Sequence, residues 1–215
     1  MPEQLHWQTV APLLKEALFK IMVSELFQSF RLVGGTSLSL QLGHRKSIDI
    51  DLFTDAPYES IDFGQIDEFL RKTFPYVSEP LKGVIGIGTS YLIGNDRGDA
   101  VKLDLYYTDP FIQPALHLVP YRLATKEEII AMKIDIVQRG GRKKDFWDLH
   151  ELMADYSPDQ MIALHATRYP YNHEEQTIRA NFTDFISADD DFDPICLKGK
   201  YWELIKLDIV QACTK

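Results

Sequence analysis

The chain has 215 residues, a formal net charge of −9, 45% hydrophobic residues and 26% charged residues. That balance supports a sizeable core under an ordinary polar surface, and it excludes a broad nucleic-acid-coating face, which needs an excess of basic charge. No apolar run approaches the ~20 residues of a membrane span, and MPEQLHWQ lacks the basic-then-apolar order of a secretory leader.

The only cysteines are Cys196 and Cys213. They have no zinc-ligand spacing and read as reduced thiols of a cytoplasmic protein. There is no internal repeat and no low-complexity linker. The length fits one domain, or one domain with a helical extension.

Val10 to Ser29 is predicted to be an amphipathic helix, with Leu13, Leu14, Ala17, Leu18, Ile21 and Leu26 at helical spacing. Leu32 and Val33 then lead into Gly34-Gly35, where Thr36 is expected to cap a short helix through Leu42. SIDIDLF alternates with period two and predicts a strand. Ile48, Ile50 and Leu52 lie on one face, Asp49 and Asp51 on the other. Ile61 to Phe74 predicts a helix stopped by Pro75. Val84 to Ile93 and Ala100 to Tyr107 predict strands joined by Asn95-Asp96-Arg97-Gly98.

After Pro120 the pattern turns helical. Thr125 and Glu128 form an expected capping box before Ile129 to Val137, and Gly140-Gly141 breaks that helix. Lys143 to Tyr156 forms a further helix, and Ser157-Pro158 opens another. The tail is expected to be helical, with Asp189, Asp190, Asp191 and Asp193 in a solvated acidic loop. The expected class is α+β: a small mixed sheet with flanking helices over 1–120, and a helical region over 121–215 that completes the active site.

Asp49 and Asp51 leave one face of their strand side by side. Adjacent carboxylates raise each other's pKa unless a cation lies between them, and hard oxygens suit Mg²⁺. In Lys102-Leu103-Asp104-Leu105-Tyr106 the polar residues share one face. If the two strands are neighbours, Asp104 joins the pair. Three carboxylates can hold two Mg²⁺ ions about 3.5–4 Å apart, an arrangement suited to in-line phosphoryl displacement. Solvated strand faces are the plain alternative.

Gly34-Gly35-Thr36-Ser37 precedes a helix start, where glycines admit a phosphate and free N–H groups bind anions. A Thr36 or Ser37 hydroxyl could add one hydrogen bond. The spacing is not that of a P-loop. Arg45 pairs either with phosphate or with Asp49, or lies on the surface. His44 is expected to be structural.

The run GGTSLSLQLGHRKSIDIDLF resembles the motif of the AbiEii/AbiGii-type nucleotidyltransferases, found as toxins of bacterial abortive-infection and toxin–antitoxin systems. Their pattern is a G-G-[ST] turn, a short helix ending in Arg, then D-I-D-L-[FY]. The resemblance implies a fold similar to polymerase β-type nucleotidyltransferases and an Mg²⁺-dependent activity that uses an NTP. It implies Asp49 and Asp51 as metal ligands and Gly35 and Thr36 as holders of the triphosphate. The acceptor would be a tRNA or a protein hydroxyl, and the partner a cognate antitoxin.

Lys133 lies on the otherwise apolar stripe of Ile129 and Val137, where a lysine either snorkels or meets a buried anion. Ala131-Met132-Lys133, then Lys144-Asp145-Phe146-Trp147-Asp148-Leu149, resembles the family's second block, which implies that Lys133 contacts the NTP phosphates. Asp145 and Asp148 share a helix face. They either orient the acceptor hydroxyl or hold Lys133 and Lys144. Arg139, Arg142, Lys143 and Lys144 form a basic cluster suited to a triphosphate or a nucleic-acid end. Two other functions fit the same residues: nucleotide binding without turnover, and metal-dependent phosphohydrolysis.

Overall fold

The computed structural model describes residues 4–80 and 87–214. Its centre is a seven-stranded sheet in the order β3-β4-β5-β2-β1-β7-β6. The strands are β1 (Arg31–Leu32), β2 (Asp49–Thr54), β3 (Tyr76–Val77), β4 (Gly88–Gly94), β5 (Ala100–Tyr107), β6 (Leu116–Leu118) and β7 (Tyr121–Leu123). β2 runs parallel to β5 and antiparallel to β1, while β1 runs parallel to β7.

Period-two alternation decides the two faces. Ile50, Leu52, Leu103 and Leu105 are fully buried on one side, in a core shared with Leu14, Ala17, Leu18 and Ile21 of α1 (Pro12–Met22) and Ile66 and Leu70 of α3 (Phe63–Thr73). The opposite face carries Asp49, Asp51, Lys102 and Asp104. A second core gathers α4 (Lys126–Gln138), α5 (Lys143–Leu152), α6 (Pro158–Arg168), α7 (Glu175–Phe182), α8 (Ile186–Asp189) and α9 (Trp202–Cys213). The short helix α2 (Gly34–Leu42) joins the two, giving Leu40 to the first core and Leu38 to the second.

Several expectations need correction. The first helix ends at Met22, because Ser24 adopts extended backbone (φ −81°, ψ 136°) before a 3-10 turn at Glu25–Phe27. Ile48 precedes its strand and is 72% exposed. The sheet continues past Pro120 into β7. Val84 to Gly86 lie outside the described residues.

The Thr125–Glu128 capping box is half formed. The Thr125 hydroxyl accepts from the Glu128 N–H (3.3 Å), but the Glu128 side chain turns inward. Its Oε2 accepts from the Ile112 and Gln113 N–H groups (2.8 and 3.2 Å), and its Oε1 pairs with Arg168. Arg168 also donates to the Pro110 carbonyl (3.1 Å) and the Thr108 hydroxyl (2.9 Å). This buried pair ties the loop after β5 to α4 and α6. Glu128→Gln would keep the shape and leave a buried guanidinium without its counter-charge. The expected cost is on the order of 1–3 kcal/mol in urea unfolding, and an unchanged midpoint would show that the pair contributes nothing net.

Candidate active site

Asp49 and Asp51 project from β2, and Asp104 from its parallel neighbour β5. The register sets Asp51 directly across from Asp104 and Asp49 across from Lys102. All four line a cleft of about 750 Å³ between the sheet, the start of α2, one side of α4 and the 191–195 segment. The four side chains form a square of three anions and one cation. Lys102 Nζ sits 2.6 Å from Asp104 Oδ2, while Asp104 Oδ1 is buried without a hydrogen-bond partner among the described residues. Burial first, then the Asp104 and Asp49 charges, push the Asp51 carboxyl up to about 6. Lys102 and Lys144 pull the other way without cancelling this rise, as expected where like charges outnumber the cations beside them.

The glycine turn abuts this face. The Val33 N–H donates to the Asp51 carbonyl (2.9 Å), which fixes the start of α2 beside β2. Gly34 has φ +64°, and a Cβ there would lie 2.6 Å from Asp51 Oδ2. A Cβ on Gly35 would lie 2.4 Å from Arg45 Nη2. Both positions therefore disfavour a side chain. Gly34 and Gly35 line the cleft, and the first N–H groups of a helix have no helical partners. Gly34→Ala is expected to cost about 1–2 kcal/mol from backbone strain alone, and to slow turnover further by displacing Asp51. Thermal melts and steady-state rates on the same preparation check this, and wild-type values in both would contradict it.

The hydroxyls of the turn do not face the cleft. Thr36 and Ser37 are fully buried. The Thr36 hydroxyl bonds the Asp49 carbonyl, with Ser47 Oγ at 2.8 Å, and Ser37 Oγ accepts from Gln41 (3.1 Å). Thr36 neither caps α2, whose N-cap is Val33, nor offers a free hydroxyl to a phosphate. It staples the turn to β2 instead.

Arg45 pairs with neither Asp49 nor the surface. Its Nε and Nη2 make a bidentate pair with Asp148 (2.6 and 2.7 Å). Asp148 also accepts from His44 Nε2 (2.7 Å) and meets Lys133 Nζ (2.6 Å). Lys133 Nζ donates in addition to Asp145 Oδ1 (2.8 Å), and Arg142 Nε to Asp145 Oδ2 (2.8 Å). Asp145 and Asp148 are fully buried and Lys133 nearly so. Burial would raise the Asp148 carboxyl, yet Lys133 and Arg45 overcome it and hold it well below its usual range.

With both oxygens occupied, Asp148 cannot orient an acceptor hydroxyl, and it does not line the cleft. Asp145 does line it, but its charge is shared by Lys133 and Arg142. Neither carboxylate pairs with Lys144.

The basic cluster disperses. Arg139 pairs with Asp135 (2.7 Å), Arg142 with Asp145, and Lys143 with Asp193 (3.0 Å). Lys144 lines the cleft with no ion pair among the described residues. The acidic tail is not merely solvated. Asp191 accepts the first N–H of α5 (3.0 Å), and Asp189 accepts from the Trp202 indole (2.6 Å).

The tail also supplies a cleft wall that sequence reasoning missed. The Lys46 N–H donates to the Ile195 carbonyl and the Leu197 N–H to the His44 carbonyl, both at 2.8 Å. Lys46, Lys102, Asp135 and Tyr169 border the cleft as well. Of these, only Lys102 carried a sequence signal, its shared face with Asp104.

The fold and the cleft define a class. Over 94% of its length the chain superposes on a Helicobacter pylori protein assigned as a nucleotidyltransferase, covering 90% of that chain at a TM-score of 0.62 and 19% identity. It also superposes on the nucleotidyltransferase toxin MenT4 of Mycobacterium tuberculosis, over 94% of this chain and 82% of that one, at a TM-score of 0.57 and 13% identity. The fold is thus the polymerase β-like nucleotidyltransferase fold.

The chain belongs to the nucleotidyl transferase AbiEii toxin family of type IV toxin–antitoxin systems, whose model matches residues 16–210. It is a nucleotidyltransferase enzyme. It is also 30% identical over 151 residues to an uncharacterized protein of Aquifex aeolicus, covering 67% of this chain and 68% of that one. No described helix is long and apolar enough to cross a membrane.

Proposed function

We propose that this chain transfers a nucleoside monophosphate from an NTP to a hydroxyl acceptor in a reaction that depends on a divalent cation, Mg²⁺. The observation that carries this reading is the carboxylate face of β2 and β5: three acids, one buried oxygen without a partner, and a carboxyl raised to about 6, beside the glycine turn. Hard, crowded oxygens fit Mg²⁺. Among the described residues no three Asp, Glu, His or Cys side chains already converge as a metal cage, and Asp104 is drawn toward Lys102.

Asp49, Asp51 and Asp104 would hold the metal. Bound there, one or two Mg²⁺ ions would supply neutralising charge for the transfer. The backbone N–H groups of Gly34 and Gly35 bind the phosphates at the α2 N-terminus. Lys144 supplies the mobile positive charge. Lys133, already shared by two aspartates, fixes the wall behind it. The acceptor hydroxyl gives up its proton to solvent, its oxygen bonds to the α-phosphorus, the bond from that phosphorus to the α,β-bridging oxygen breaks, and pyrophosphate leaves.

The acceptor is a tRNA or a protein hydroxyl in the cytoplasm, and a cognate antitoxin restrains the reaction. Incubation with each α-labelled NTP, Mg²⁺ and total cellular RNA or protein tests this. Label in one acceptor pool with pyrophosphate release supports it. Orthophosphate release without an acceptor would indicate a phosphohydrolase, and nucleotide binding without pyrophosphate would indicate a silent binder.

A further inference from the structure

We propose that Lys102 is a built-in counter-ion for Asp104, which a divalent cation must displace to load, so that this lysine sets the metal affinity of the site. The inference rests on the metal-binding reading above and deepens it. Lys102 and Asp104 are two residues apart on β5 and therefore leave the same face. The parallel register with β2 puts Lys102 opposite Asp49 and Asp104 opposite Asp51. The ammonium thus occupies one corner of a square whose other three corners are carboxylates.

Its contact is direct: Lys102 Nζ lies 2.6 Å from Asp104 Oδ2. The second oxygen of that carboxylate is buried and unpartnered, so Asp104 is half satisfied by the lysine. The lysine side chain is 43% exposed against 15% for Asp104. It can swing into solvent, whereas the carboxylate cannot.

A divalent ion that takes Asp104 as a ligand competes with this ammonium for the same charge. Loading costs the ion pair, and the lysine is released toward solvent. Lys144 also lines the cleft, but no ion pair joins it to a carboxylate among the described residues. It therefore acts on the site only through its longer-range field.

The test is Mn²⁺ binding to the full-length protein without nucleotide, read by the loss of free-ion electron paramagnetic resonance signal at fixed ionic strength. Lys102→Met is expected to bind Mn²⁺ roughly two- to fivefold more tightly, the size of one partly exposed ion pair. Lys102→Arg, which keeps the charge, should stay near wild type. Lys144→Met should gain clearly less than Lys102→Met.

Equal affinity in wild type and Lys102→Met would overturn the counter-ion role and leave the metal site standing. Equal gains in Lys102→Met and Lys144→Met would also overturn it, because a general field rather than the contact would then be at work. Absence of Mn²⁺ binding in every protein would remove the metal site itself, and the inference with it.

Discussion

Asp51→Asn is expected to fold, to lose at least about 10²–10³-fold in turnover, as loss of one electrostatic stabiliser of a transition state typically costs, and to become more stable without metal. The two effects have one cause. Burial first, then the Asp104 and Asp49 charges, together raise the Asp51 carboxyl to about 6. The folded-state pKa thus exceeds that of an unfolded aspartate. Below pH 4 the group is protonated in both states and contributes nothing. Between pH 4 and 6 the unfolded chain ionises first, so folding loses stability as pH rises, and above pH 6 the full penalty persists.

Asparagine removes that penalty, on the order of 1–3 kcal/mol at neutral pH. Melts in EDTA at pH 7.5 and pH 4 should show the gain at the higher pH only. A loss of stability at pH 7.5 would mean that the carboxylate is well satisfied in the absence of metal.

Asp148→Ala is expected to have the opposite character. It leaves Arg45 and Lys133 buried without their shared anion, and breaking one partner of a buried pair costs about 3–5 kcal/mol. That is a large share of the roughly 5–15 kcal/mol that holds a domain folded. Activity should fall as well, since Arg45 packs under Gly35 and Lys133 borders the cleft.

The pH dependence has the sign of a depressed carboxyl. Asp148 is held well below the usual range, burial being outweighed by Lys133 and Arg45. Its stabilisation is present above pH 4 and is lost as pH falls through the folded-state value. Urea titrations of wild type at pH 7 and pH 3 should show this loss, and Asp148→Ala should flatten it. An Asp148→Ala midpoint within error of wild type would show that the network carries no net stability.

The sequence revealed the strand that carries Asp49 and Asp51 because its alternation is sharp, and the hairpin to β5 because Asn95 to Gly98 favours a turn. It revealed the α6 cap at Ser157, which closes as a full capping box with Gln160. The strands β1, β3, β6 and β7 have two or three residues each and are too short for a period to register.

The Arg45–Asp148 pair spans 103 positions, so no local pattern pointed to it. Thr36 read as a cap because its residue type suits one, but the start of α2 is set by Gly34 and the hydroxyl finds Asp49 instead. The acidic tail looked solvated because its partners, the α5 N-terminus and Trp202, are made by tertiary folding alone.

The central claim is that the acids of β2 and β5 bind a divalent cation on which nucleotidyl transfer depends. Pyrophosphate formation from each NTP, with a cellular acceptor pool, measured across an Mg²⁺ titration for wild type and Asp49→Asn, tests it most directly. Wild type should respond saturably to Mg²⁺ and fall to background in EDTA, and Asp49→Asn should stay at background throughout. Pyrophosphate formation that persists in EDTA, or that Asp49→Asn sustains at the wild-type rate, would contradict the claim.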